Sequence, residues 1–274
     1  MRPGRLILIL VLAIMPLTAR ALTVCADPNN LPFSNRRGQG FENALAELLG
    51  RQLHSGVRYD WWAQRRGFAR HTLAQGECDI WPGVAVGVAG MASSQPYYRS
   101  TYVFVTRRAA NLGQLSLDDP RLRTLRVGVQ LVGDDGANTP PADALAARGI
   151  TANVTGFMLY GDYRRPNPPA AILDALARDT IQVALVWGPL AGFYARHSCV
   201  ALRLQPIEAP ATGEPMSYDI AVGVRRDEPK LLARINAALR EQAPQIAQLL
   251  RRFGVPELPA TRLPQAAPHL AAAH

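Results

Sequence analysis

The chain is poor in lysine, cysteine and histidine. Lys230 is the single lysine among 30 basic residues, and many arginines sit in short pairs such as Arg65-Arg66, Arg107-Arg108, Arg225-Arg226 and Arg251-Arg252. Scattered pairs do not form the concentrated stripe that nucleic acid requires. The formal charge of +9 therefore points at most to steering toward an acidic partner. The three cysteines, Cys25, Cys78 and Cys199, include no C-x-x-C, and His54, His71, His197, His269 and His274 are dispersed. No zinc, haem or iron–sulfur ligand set is present, and no cofactor is expected. G-x-S-x-G, H-E-x-x-H and P-loop motifs are all missing. The pairs Asp118-Asp119 and Asp134-Asp135 are adjacent in turns and do not form a spaced acid and base, so the chain reads as a non-enzyme. After the first twenty or so residues no apolar run is long enough to span a bilayer.

At the start, Arg2 and Arg5 precede an apolar run from Leu6 to Leu17, and Ala19-Arg20-Ala21 has the small-x-small cleavage pattern. This is read as an export signal over residues 1–21, cleaved before Leu22, with a periplasmic destination. An uncleaved anchor is the other reading, but about a dozen apolar residues fall short of a span. Export permits a disulfide. Cys25 lies in the first expected strand and Cys78 begins a later one, and neighbouring parallel strands would bring them close. A Cys25–Cys78 bridge with Cys199 unpaired is expected; two buried free thiols are the other reading.

Patterning from Leu22 onward is α/β. Leu22, Val24 and Ala26 alternate with polar or small neighbours as a strand. Pro28, Asn29, Asn30 and Pro32 make a loop. Phe41, Leu45, Leu48 and Leu49 then share one face of a helix. Strands follow over 57–62 and 78–84 with a helix at 67–75 between them, an order that implies parallel pairing. A β-rich run spans 100–106. A second α/β unit comprises a strand at 125–131, a helix at 142–148, a helix to about Arg178 that Asn167 can cap, and a strand at 181–187 broken by Gly188-Pro189. A strand at 218–225 and helices at 229–241 and 244–253 close the pattern. The expected architecture is two-lobed: 22–105 plus 219–256 as lobe one, 106–218 as lobe two, two hinge crossings, central mainly parallel sheets, and a disordered tail at 257–274. Two crossings permit hinge closure over a cleft.

These residues resemble the class II periplasmic solute-binding fold, through VCADPNNLPFSN with GFENALAELL, GECDI, PYYRSTYVFV, LRVGVQ, IQVALVWGP and YDIAVGVRR. More specific stretches, YDWWAQRRGF, QPYYRSTYVFVTR, GVQLVGDDGANTPP and YGDY with PNPP, resemble the quinoprotein-dehydrogenase-associated branch, which includes the MxaJ/XoxJ accessory proteins of methanol oxidation. The resemblance implies a periplasmic partner, a pyrroloquinoline-quinone alcohol dehydrogenase, with its c-type cytochrome as a further one, and assistance to assembly or activation. The two-lobe architecture alone implies the alternative, a receptor for an ABC importer carrying a small ligand. Amino-acid-binding relatives follow the third strand with a carboxylate-binding arginine; Gly87 to Met91 has none. They end the last lobe-two strand with an aspartate; Trp187-Gly188-Pro189 stands there. An α-amino acid is therefore not the expected ligand.

Strand ends supply the cleft candidates. Lobe one offers Asn29, Asn30, Phe33, Tyr97, Tyr98 and Arg99. Lobe two offers Gln130, Asp134, Asp135, Asn138, Tyr160, Asp162, Tyr163 and Trp187. Aromatic bodies with a few polar groups suit a cleft, although turn shaping and core packing account for the same residues. In Trp61-Trp62, alternation along a strand places one ring in the core and the other nearer the surface, where tryptophan beside Arg65-Arg66 is an interface anchor.

Overall fold

The computed structural model describes residues 20–64, 67–131, 138–159, 163–164, 167–210, 213 and 215–258. The expected leader, apart from Arg20 and Ala21, lies outside them, as do Arg65 and Arg66. Leu22–Ala26 forms β1, and the loop behind it carries the two-residue strands β2 (Asn29–Asn30) and β3 (Ser34–Asn35). Helix α1 runs Phe41–Gln52. Its N-cap is Gly40, where a Cβ would collide with the Phe33 carbonyl, so Asn43 does the capping by accepting from the backbone N–H groups of Gly40 and Asn35. β4 (Val57–Trp61), α2 (Phe68–His71), β5 (Ile80–Ala85), the short β6 (Ala92–Ser93) and β7 (Tyr98–Arg107) follow. Next come β8 (Val127–Leu131), α3 (Pro140–Ala147), β9 (Val154–Met158), α4 (Ala171–Ala177), β10 (Val183–Trp187), α5 (Gly188–His197) and β11 (Leu202–Pro206). β12 (Ser217–Val224), α6 (Pro229–Glu241) and α7 (Ala243–Phe253) end the fold.

β1 pairs in parallel with β4 and β5, and β8 in parallel with β10 and β9. These are the strands joined by helical crossovers. Around the hinge the pairing is antiparallel, so the sheets are mixed: β12 lies against β5 and β7, and β10 and β11 lie against β7. β7 belongs to both lobes. Tyr98–Thr101 pairs with β12, and Tyr102–Arg107 pairs with β10 and β11. One core lies between the first sheet and α1, α6 and α7, built on Phe41, Leu45, Leu49, Ile80, Val222 and Ile235. The second sheet buries Leu122, Val127 and Leu145 on one face and Ile172, Leu176 and Leu190 on the other, as expected of strands covered on both sides.

The Cys25–Cys78 bridge is present, with a Cα separation of 5.4 Å. It follows from the β1–β5 pairing, in which Val24 lies opposite Ile80. Cys199 is free and exposed. Several local expectations need correction or completion. Gly188-Pro189 ends β10 at Trp187 as expected, and it also opens α5, a helix the sequence pattern left unassigned, because proline is tolerated in a helix's first turn. Asn167 precedes a 3-10 turn at Pro168–Ala170 but makes no side-chain cap, since it sits in the left-handed region at φ 47°. The chain is still docked at the start of the expected tail, where the Leu258 N–H donates to the Arg99 carbonyl at 2.9 Å; residues 259–274 lie outside the described region.

Candidate functional site

The loop after β1 is fixed by Asp27, a buried carboxylate. It accepts hydrogen bonds from the backbone N–H of Asn29 (2.7 Å) and Gln64 (2.7 Å) and from the Tyr163 hydroxyl (2.7 Å). The first two shape lobe one. The third comes from lobe two and ties the lobes together, and the Asn167 N–H adds a 3.2 Å bond to the Asn29 side-chain carbonyl. Behind this latch lies a cavity of about 290 Å³. Lobe one lines it with Asn30, Phe33, Glu42, Gln64, Gly83 and Tyr98, and lobe two with Gln130, Leu159, Pro169 and Trp187; Tyr102 and Tyr218 come from the crossing strands.

Polar groups on the wall largely satisfy one another. The Asn30 amide donates to the Gln64 side-chain carbonyl at 3.0 Å, and the Trp187 backbone N–H donates to the Gln130 side-chain carbonyl at 3.2 Å. Ring packing continues behind the surface, with Tyr102 5.1 Å and Tyr218 6.1 Å from Trp187 between ring centroids. Glu42 differs: no described residue donates a hydrogen bond to its carboxyl. Burial pushes its pKa up to about 8, and the Asp27 charge adds to the rise. The carboxyl packs against Gly83, at φ +83°, where any Cβ would overlap it. Tyr97 and Tyr98 are held well above the usual phenol range, first by burial; Tyr98 and then Glu42 add to the effect at Tyr97, and Glu42 adds to it at Tyr98, where Trp187 offsets part of the rise. With the phenols protonated and Glu42 largely neutral at pH 7, the described lining of the cavity is uncharged and rich in rings.

Of the residues expected in the cleft, Asn30, Phe33, Tyr98, Gln130 and Trp187 line the cavity. Asn29 and Tyr163 belong to the latch. Tyr97 is half-buried beside Tyr98, 5.0 Å away between rings. Arg99 is not in the cavity: its guanidinium bonds Asp219 at 3.0 Å and Ser217 at 2.8 Å across the β7–β12 pair, because alternation along β7 turns it from the side that Tyr98 takes. Asn138 is exposed at the start of α3 and does not line the cavity. Asp134, Asp135, Tyr160 and Asp162 lie outside the described residues. Sequence reasoning missed Glu42, Gln64, Tyr102 and Tyr218. Trp61 is half-buried and stacked on Tyr59, whereas Trp62 is 40% exposed.

No protein-family model matches the chain. Protein MoxJ of Methylorubrum extorquens is 31% identical over 255 residues, covering 88% of this chain and 83% of that protein. Among solved structures, the periplasmic binding protein XoxJ from Methylobacterium extorquens AM1 superposes with a TM-score of 0.71 at 33% identity, covering 87% of this chain and 99% of that one. MxaJ from Methlophaga aminisulfidivorans MPT superposes at 0.73 with 24% identity, over 87% and 100% of the two chains, a likeness that speaks to fold alone. With two lobes closed on a ring-lined cavity and this extent of shared sequence, the chain belongs to the MoxJ/XoxJ/MxaJ family of periplasmic-binding-protein-like proteins.

Proposed function

We propose that this protein is a non-catalytic periplasmic accessory of a quinoprotein alcohol dehydrogenase of the methanol-oxidising kind, and that it engages the dehydrogenase with the rim of its interlobe cleft. The distribution of exposed apolar side chains carries this reading. Among the described residues the large ones are Trp62, Val86, Val88 and Met158, each 40% to 47% exposed. Trp62 follows β4, Val86 and Val88 follow β5, and Met158 ends β9. Each lies close in sequence to a cavity-lining residue, namely Gln64, Ala85 or Leu159. Their shared position beside cavity-lining residues supports a common interaction surface at the rim, the arrangement in which exposed apolar groups serve binding. Family membership supports the identity of the partner.

Calorimetric titration of purified dehydrogenase, with an activity and maturation assay alongside, tests the proposal. Saturable binding that is lost when Trp62 and Met158 are both changed to serine is the expected result. Absence of binding, with no effect on activity or maturation, contradicts it. The interlobe cavity itself favours a second reading, a solute receptor for an importer. Neighbouring permease and ATPase genes support that reading; neighbouring dehydrogenase and cytochrome genes support the first.

A further inference from the structure

The cavity wall combines five aromatic side chains with one carboxyl and, among its described lining residues, no arginine, lysine or histidine. Aromatic faces carry negative charge density and attract cations, more strongly where water is excluded. Of the other polar groups named on the wall, the Asn30 amide is paired with the Gln64 side-chain carbonyl, and the Gln130 side-chain carbonyl accepts from the Trp187 backbone N–H. No described residue donates a hydrogen bond to Glu42, and the missing side chain at Gly83 gives its carboxyl room. A half-buried carboxyl in that position, its pKa raised by desolvation, is mostly neutral at pH 7 while the cavity is empty and ionises when a cation supplies the missing charge. An α-amino acid also brings a carboxylate, for which the described lining offers no guanidinium; Arg99, next to Tyr98 on β7, is held by Asp219 and Ser217.

We propose that the interlobe cavity is a binding site for a small alkylammonium ion, with Glu42 as counter-charge and the rings of Phe33, Tyr98, Tyr102, Trp187 and Tyr218 as its aromatic walls. The site is independent of the accessory reading, because it lies inside the rim that reading uses. Around Glu42 the titratable groups are Asp27 after β1 and Tyr97 and Tyr98 at the start of β7; β5 presents only Gly83, and lobe two presents Gln130 and Trp187. Asp27 keeps its three hydrogen bonds and adds negative potential. The tyrosines stay protonated through the neutral range. Cation affinity therefore follows the ionisation of Glu42, near pH 8 in the empty protein.

Choline and its neutral isostere 3,3-dimethyl-1-butanol share a shape and differ in charge, and neither titrates between pH 6 and pH 9. Calorimetry and thermal shift with the full-length exported protein should show choline binding and raising Tm, with the alcohol binding at least tenfold more weakly at pH 9. The choline Kd should tighten about 100-fold from pH 6 to pH 9, the factor expected when a group titrating near pH 8 must lose its proton on binding. Glu42→Gln should abolish the pH dependence and weaken choline at least tenfold at pH 9 while the circular dichroism spectrum is retained. If that variant does not fold, the isostere and pH comparisons on the wild type decide the matter. Nα-acetyl-lysine amide separates two sources of the same chemistry: binding tighter than choline assigns the site to a lysine side chain of a partner, weaker binding to a free small cation. Equal binding of choline and the alcohol, no binding of either ammonium probe, or a pH-independent choline Kd overturns the proposal.

Discussion

Replacing Cys25 and Cys78 together by alanine should cost about 4 kcal/mol of stability. The two residues are 53 apart in sequence, and a loop of that length, once released, returns about 4 kcal/mol of chain entropy to the unfolded state at 25 °C. The released segment contains α1, β4 and α2, whose contacts with the first core rest on Phe41, Leu45 and Leu49. Those side chains are untouched by the change, so the fold should persist. Alanine is preferred to serine because both cysteines are only 1% exposed, and a buried hydroxyl without a partner would add a separate penalty. For a protein of this size each kcal/mol corresponds to roughly 2–4 °C in Tm, so a drop of about 8–16 °C is expected. Thermal unfolding followed by circular dichroism, with and without reductant, provides the assay. Reductant should lower the Tm of the wild type and leave the double variant unchanged. A loss below about 1 kcal/mol would contradict the entropic argument, and recovery of a Cys199-containing pair by non-reducing peptide mapping would contradict the pairing itself.

Two further perturbations act on the cleft. The Glu42 pKa is raised from 4.5 to about 8, so the folded state favours the protonated form. That contribution to stability is full below pH 4.5 and is lost as pH rises through 8. Within that window the slope is at most about 1.4 kcal/mol per pH unit, and Glu42→Gln should remove it; urea unfolding at pH 5 and pH 8 giving the same pH dependence for variant and wild type would refute a neutral buried carboxyl. Tyr163→Phe deletes the lobe-two donor to Asp27, a hydrogen bond to a charged group of the kind worth about 1.5–3 kcal/mol. Its radius of gyration by small-angle scattering should exceed that of the wild type, and an unchanged value would mean that the latch does not hold the lobes together.

The lobe-building elements were legible because burial there is strongly periodic. β1, α1 and β10 were readable from the alternation at Leu22, Val24 and Ala26, the helical stripe through Phe41 and Leu45, and the apolar run to Trp187. β9 and β11 were not, since these edge strands expose residues on both faces and offer no period of two. α5 was not legible because Gly-Pro both ends strands and opens helices: the strand end at Trp187 could be read, whereas the helix after it depends on tertiary packing of Leu190 and Ala191. In the cleft, aromatic residues at strand ends were found from position alone. Glu42 was not, because an acid in a helix's first turn ordinarily faces solvent and complements the dipole; its burial depends on Gly83, forty-one positions away in the chain. Arg99 shows the converse error. Period-two alternation along β7 already separates it from Tyr98, and grouping it with its neighbour ignored that rule.

Hydrogen exchange of the protein, alone and with saturating dehydrogenase, tests the central claim most directly. Engagement through the cleft rim predicts added protection concentrated in residues 61–64, 85–88 and 157–159, the strand ends that carry Trp62, Val86, Val88 and Met158, with α6 and α7 unaffected. Protection confined to α6 and α7, or none anywhere at a dehydrogenase concentration that saturates an independent binding assay, would contradict it.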